Sequence, residues 1–314
     1  MIGASSIKKI LVFIFISNTL LCQDNIIDYA VVKDQTHGMK IYEIQHSLKS
    51  KSLLSTKKMY QASWLKNSDS LWLYHRYGEN NCLSLANNEG HILKLLYSSP
   101  GKRQALRGVS SDDSLMMLYN ERDNVNIVIR QTFGQNMVDS FSLSLSHLPY
   151  IHNPFYKSGK EIMLKIWQDC EYTNKISGVT KNLSEGIYLY NFNSHQFTLI
   201  HANNVFYDDY FYSGYDNVLY LVHTDKIVKL DLNTLKQEDL IHLGSSKKES
   251  WITFAKLDET ERVLFFEVRR QNRFLWFRLG MEEEECIYFI PSNKVYNVEF
   301  DFQKYHEMSF KFLR

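Results

Sequence analysis

Only four cysteines occur in 314 residues, at positions 22, 82, 170 and 286, and no two are close together. Cys22 falls in a leader described below, which leaves an odd number of isolated thiols. That spacing excludes a disulfide framework and a zinc site built from close cysteine pairs, so Cys82, Cys170 and Cys286 read as small buried hydrophobes. Excess charge is missing as well. Lys and Arg total 36 against 35 Asp and Glu, a formal charge of +1, and no basic stripe stands out. A protein that tracks phosphates needs such a stripe, so no nucleic-acid partner is expected. The eleven histidines form no His-x-His or His-x-x-x-His pair, and no Gly-x-Ser-x-Gly elbow appears. No metal, no cofactor and no catalytic residue is therefore assigned. Outside the N-terminus no window keeps an apolar period of 3.6 over three turns.

The longest apolar run is short: Ile10 to Ile16 (ILVFIFI), preceded by Lys8 and Lys9. Seven residues do not span a bilayer. The run reads as the core of a secretory signal peptide, cleaved between Cys22 and Gln23. Residues 1–22 are thus the expected leader, residues 23–314 the exported domain, and the destination is the periplasm, the cell envelope or the medium. A lipid anchor on Cys22 is the rival reading. No later segment reads as a transmembrane helix.

Aromatic residues are plentiful, with 20 Tyr and 19 Phe, and they suit pleated, half-buried surfaces. One pattern recurs: a polar turn followed by a short apolar strand. It appears at Asp69-Ser-Leu-Trp-Leu-Tyr74, Asp113-Ser-Leu-Met-Met-Leu118, Gly159-Lys-Glu-Ile-Met-Leu164, Asp216-Asn-Val-Leu-Tyr-Leu221 and Glu261-Arg-Val-Leu-Phe-Phe266. The copies stand 44, 46, 57 and 45 residues apart, the length of a four-stranded propeller blade. Further strands separated by Asn, Asp, Gly and Ser fill the intervals, with Arg273-Phe-Leu-Trp-Phe-Arg278 in the third-strand slot of the last unit. The long interval reflects an insertion, Gln168 to Glu185, expected as a surface loop. Leftover strands at both ends predict a sixth blade assembled from the two termini. The expected fold is all-β, a six-bladed propeller of antiparallel four-stranded blades.

Ser110-Ser-Asp-Asp-Ser-Leu115 with Glu121-Arg-Asp-Asn124 and Ile127-Val-Ile129 resembles the TolB-type propeller repeat, and Asn67-Ser-Asp-Ser-Leu71 behind Trp64 is a second such copy. Proline and glycine of the family's turn are absent from both. The resemblance implies a propeller without the N-terminal domain of TolB and without the hydrolase domain of propeller peptidases. A binding or interaction module is the function it suggests. A propeller hydrolase or lyase acting on glycan is the alternative, with Asp208 and Asp209 as its acids.

The blade register gathers one rim from the starts of innermost strands and the ends of second strands. Arg76, Tyr77, Arg103, Arg107, Tyr150, His152, Tyr207, Asp208, Asp209, Trp251 and Arg269 fall there. Arginines and aromatics are the types in which binding energy concentrates. Arg103, Arg107, Tyr150, His152, Tyr207, Asp208, Asp209 and Trp251 are therefore the candidate ligand-binding residues, for a protein, peptide or carbohydrate. Glu282 to Glu285 reads as a solvated hairpin turn, and the aromatic stretch Asn203 to Tyr215 as an inner strand facing the funnel or packed between blades.

Overall fold

The computed structural model describes residues 29–34, 38–43, 49–54, 309–311 and, apart from short connecting stretches, 59–298. Three strands lead: β1 (Tyr29–Asp34), β2 (Gly38–Glu43) and β3 (Lys49–Leu54). Blade 1 follows with β4 (Met59–Trp64), β5 (Leu71–Tyr77), β6 (Asn80–Ala86) and β7 (Ile92–Pro100). Blade 2 holds β8 (Ala105–Val109), β9 (Leu115–Glu121), β10 (Val125–Gln131) and β11 (Met137–Leu143). A two-residue strand, β12 (Ile151–His152), precedes blade 3, which is β13 (Phe155–Tyr156), β14 (Glu161–Ile166), an inserted hairpin β15 (Cys170–Asn174) and β16 (Thr180–Leu183), then β17 (Gly186–Asn191) and β18 (Gln196–His201). Blade 4 is β19 (Asp209–Ser213), β20 (Val218–His223), β21 (Lys226–Asp231) and β22 (Gln237–His242). Blade 5 is β23 (Glu249–Leu257), β24 (Val263–Phe274), β25 (Phe277–Phe289) and β26 (Lys294–Val298), and β27 (Ser309–Lys311) ends the described chain.

The protein is a β-propeller with antiparallel four-stranded blades, of which the chain from 59 to 298 builds five rather than the expected six. Blades 1 and 5 also meet directly, because Ser63 Oγ donates to Glu259 Oε1 at 2.8 Å. The terminal strands form a separate sheet, β27-β1-β2-β3, beside β4.

Sequence explains the blades locally. Second strands are near-continuous apolar runs because a blade is covered on both faces. Leu71, Leu73, Trp72 and Tyr74 are all buried, and so are Leu264, Phe265, Phe266 and Val268. Alternate residues serve different neighbours. Trp72 and Tyr74 join the core shared with Leu106, Met116 and Leu118 of blade 2, while Leu264, Phe266 and Val268 join Phe211, Tyr220 and Val222 of blade 4.

Hairpin turns use Asn and Asp where glycine is scarce. Asn174, Asn191 and Asp231 each accept backbone N–H bonds from the residues two and three positions on. Four positions on, the chain turns left-handed, at Gly178, His195 and Leu235. In the turns between first and second strands, on the same side of the blades, Asp258 is buried and accepts from the backbone N–H of Thr260, Arg262 and Val263. Asp112 plays the same part between Ser110 and Ser114. These turns are structural.

Two local expectations are corrected. The insertion is no loop: β15 pairs antiparallel with β11, so blade 3 supplies the outer edge of blade 2. The acidic run Glu282 to Glu285 is no turn either. It lies inside β25, opposite β24 residues 267–270, in register with Arg269 and Arg270. Opposed charges stabilise a cross-strand pair, so Glu282 opposite Arg270 and Glu283 opposite Arg269, with Glu284 also paired to Arg270, tolerate strand structure here. The third strand's core segment is accordingly Cys286, Ile287 and Tyr288, whereas Arg273 and Phe274 belong to β24 and pair with Arg278 and Phe277 of β25.

Candidate functional site

The face that receives the starts of innermost strands and the ends of second strands carries three fixed aromatic stations. On blade 2, the guanidinium of Arg107 (β8) sits 3.9 Å from the ring centre of Tyr119 near the end of β9. Between blades 2 and 3, exposed His147 stacks on half-buried Trp167, with ring centres 4.7 Å apart, and the Trp167 indole N–H donates to the His147 carbonyl at 3.0 Å. On blade 5, Trp251, Arg269 and Glu283 stand directly opposite one another across β23, β24 and β25. Arg269 Nε lies 3.0 Å from Glu267 Oε1 and 3.1 Å from Glu283 Oε1. Glu267 is buried, and the Thr253 hydroxyl donates to it at 2.5 Å. Burial and pairing thus hold the arginine beside the tryptophan in one geometry.

The structure separates the sequence-derived candidates. Arg103, Tyr150, Tyr207 and Asp208 lie outside the described residues. His152 and Asp209 come onto adjacent strands, since β12 runs parallel to β19 with His152 opposite Phe211. As β19 is the innermost strand of its blade, β12 lies on its axis side. Arg107 and Trp251 belong to different blades, so the candidates form stations around a rim rather than one cluster. Within the aromatic stretch, Tyr210, Phe211 and Tyr212 are buried between blades. His147, Trp167 and Glu267 were not among the candidates. A tryptophan directly after a second strand was the available signal for Trp167, whereas His147 and Glu267 are recognised only through pairing.

A second buried ionisable group lies on this face. Lys165, near the end of β14, is fully covered, with its Nζ 3.6 Å from Glu185 Oε1. Burial holds its pKa below the ordinary 10.5, partly offset by Glu185. Folding then favours the neutral amine, so stability rises with pH between the lowered folded value and 10.5, where the unfolded chain still binds the proton. Replacing Lys165 with Met is expected to stabilise the protein at neutral pH by about 1–3 kcal/mol. The advantage should shrink as the pH approaches 10.5. Urea unfolding of both proteins across pH 7–10 checks this.

Among the described residues, no group of three or more His, Cys, Asp and Glu side chains is placed to hold a metal ion. No described helix is long and apolar enough to cross a membrane.

No protein-family model matches the sequence, and no curated protein matches it. Solved structures do match. TolB from Acinetobacter baumannii superposes with a TM-score of 0.50 at 14% identity, over 86% of this chain and 62% of that one. A chain of a nidogen–laminin complex gives 0.50 at 7% identity, over 88% and 95%. TolB from Agrobacterium tumefaciens gives 0.46 at 12% identity, over 87% and 88%. This chain therefore spans about three fifths of the Acinetobacter protein's length. At these identities the likeness is one of architecture, and on that footing the chain is a β-propeller.

Proposed function

We propose that the chain is a protein-binding propeller module, exported to the periplasm or cell envelope, that docks its partner on the rim formed by the second-strand ends. The supporting observation is the Trp251–Arg269–Glu283 row, held from below by Glu267. An aromatic and an arginine immobilised in advance lose little freedom on binding, and these types dominate the energetics of protein interfaces. Arg107 on Tyr119 and His147 on Trp167 extend the same rim.

The terminal sheet serves this rim by clasping the ring between blades 5 and 1. Support comes from burial: Leu71 and Leu73 face away from blade 2, Val263 and Phe265 face away from blade 4, and all four are covered.

The test is quantitative capture of envelope proteins on immobilised residues 23–314. Trp251→Ala and Arg269→Ala together should weaken retention of the specific partner by about 1–4 kcal/mol. Tyr215→Ala, on the opposite face where Tyr215 lies under Arg262, should leave it unchanged. Normal capture by the rim variant with loss in Tyr215→Ala would assign binding to the other face.

A further inference from the structure

Each blade ends in an outer strand, and such edges are normally guarded by polar side chains or by a covering element. Among the described residues, β18 and β26 expose one large apolar side chain each, Leu199 and Val295, and β22 exposes none. The inserted hairpin covers β11. β7 differs from all of these, because Ile92, Leu93 and Leu95 are each about half exposed. The apolar surface continues onto blade 2. Lys94 Nζ lies 5.4 Å from the ring centre of Phe133 in the β10–β11 turn, and Met137 begins β11. The Lys175 N–H donates to the Ser140 carbonyl at 2.8 Å and brings Ile176 alongside. Phe133, Met137 and Ile176 are again about half exposed. Sheets pack about 10 Å apart and paired strands lie about 4.8 Å apart, so this band is narrow and about 15–20 Å long.

Two observations set the chemistry of what the band takes. The first is charge. Within residues 91–100, 125–143 and 175–179 the only carboxylate is Asp139, which is buried and bonded to Tyr190, whereas Lys94 and Lys175 are exposed. A second copy of the chain laid on the same band would set lysine against lysine. The second observation lies beneath Phe133. Trp72, with its ring centre 6.5 Å from that of Phe133, is buried, and so is Thr132. Neither the Trp72 indole N–H nor the Thr132 hydroxyl has a hydrogen-bond partner among the described residues. A buried donor without an acceptor is costly. Ammonium, indole and hydroxyl together are best met by an acceptor that carries negative charge. Shape narrows the occupant further. So slender a band falls short of the roughly 800 Å² per partner that two globular faces bury in a stable complex, and it suits an extended segment of about five or six residues.

We propose that the outer seam of blades 1 and 2 binds an extended, acidic and apolar segment of a partner protein. Its apolar side chains cover Leu93, Met137 and Ile176, Phe133 turns aside, and a carboxylate accepts from Lys94, Trp72 and Thr132. This is a second binding surface, at the opposite end of the blades from the rim and independent of it.

The probe is a short, capped, fluorescently labelled peptide of alternating leucine and aspartate. Its counterparts carry lysine for aspartate or serine for leucine, and anisotropy reads their binding to the protein. The leucine–aspartate peptide should bind about tenfold more tightly than either counterpart. Leu93→Ser with Met137→Ser should weaken it about tenfold. Lys94→Gln should remove most of the preference for aspartate over lysine, and Lys94→Arg should retain it. Thr132→Val deletes the hydroxyl at nearly constant shape. It should weaken the aspartate peptide while raising the melting temperature, whereas a threonine with only a structural role would leave binding unchanged. Melting temperatures of the other variants report that the propeller is intact. Equal affinity for all three peptides, or unchanged affinity in an intact Leu93→Ser, Met137→Ser variant, overturns the proposal. A wild-type dimer that this variant dissociates gives the band to a second copy and overturns it as well. Peptide binding that disappears in Trp251→Ala with Arg269→Ala moves the site to the rim, and binding that persists there supports a separate surface.

Discussion

Removing residues 299–314 is expected to cost most or all of the stability of the fold, not to fray an end. The deletion takes away β27, which pairs with β1 through Tyr29–Lys311, Ala30–Phe310 and Val31–Ser309. On the proposed clasp, loss of that ladder takes β27 from the edge of the terminal sheet and removes the cover proposed for the apolar faces of blades 1 and 5. Leu71, Leu73, Val263 and Phe265 are 0–1% exposed. Burial of each such side chain contributes roughly 1.5–3 kcal/mol, an upper estimate because unfolded chains are not fully extended. Four of them sum to about the entire stability of an ordinary domain, 5–15 kcal/mol. The truncated protein should therefore be aggregated or molten at 25 °C, with near-ultraviolet dichroism lost. A monomeric truncation melting within a few degrees of the parent would refute the clasp.

Asp139→Ala should be among the most damaging single substitutions in the protein. Asp139 lies at the junction of β11, the inserted hairpin and the β17–β18 turn, and is fully buried. Its carboxylate accepts from Tyr190 Oη at 2.6 Å, Asn174 Nδ2 at 2.8 Å and the Ser140 N–H at 2.7 Å, and His195 Nδ1 lies 3.1 Å away. Tyr172 Oη completes the network by donating to Tyr190 Oη at 3.1 Å. Burial, together with the Asp139 carboxylate, pushes the Tyr190 phenol well above its usual range, which favours the protonated donor. Deleting the carboxylate strands several buried donors together. The expected loss is about 3–5 kcal/mol, read as a shift in the urea midpoint. Tyr190→Phe alone should cost about 1–2 kcal/mol. Made in the Asp139→Ala background it should cost much less, because both substitutions break one unit.

The repeat period and the apolar second strands were legible in the sequence because both are properties of short segments. Leu71 to Tyr74 and Val263 to Phe266 are buried on both faces, and an unbroken apolar run records that directly. Blade number was harder. It depends on strands that lie at opposite ends of the chain and pair over three residues. The insertion and the glutamate run were misread for one reason. Each looks like a loop by composition, and each is held as a strand by a partner distant in sequence: β11 for Cys170 to Asn174, and Arg269 with Arg270 for Glu282 to Glu284. The rim was legible as a set of strand ends, and Arg107 and Trp251 fall on it. What makes them rigid, Tyr119 for one and Arg269 with Glu267 for the other, is a matter of cross-strand register.

The hairpin that blade 3 lends to blade 2 has a further consequence. In an array of repeats, stability divides into what each unit supplies and what each junction supplies, and opening spreads through the weakest junction first. Here one junction is unlike the rest. Tyr172 and Leu183 of the hairpin lie in the same core as Phe141 and Leu143 of blade 2 and Tyr190 of blade 3. Neither blade has a complete hydrophobic interior while the other is unfolded. The two should behave as a single block of about one hundred residues, exchanging its amide hydrogens together, flanked by junctions able to open singly. An array that counts as five blades in space thus folds as four.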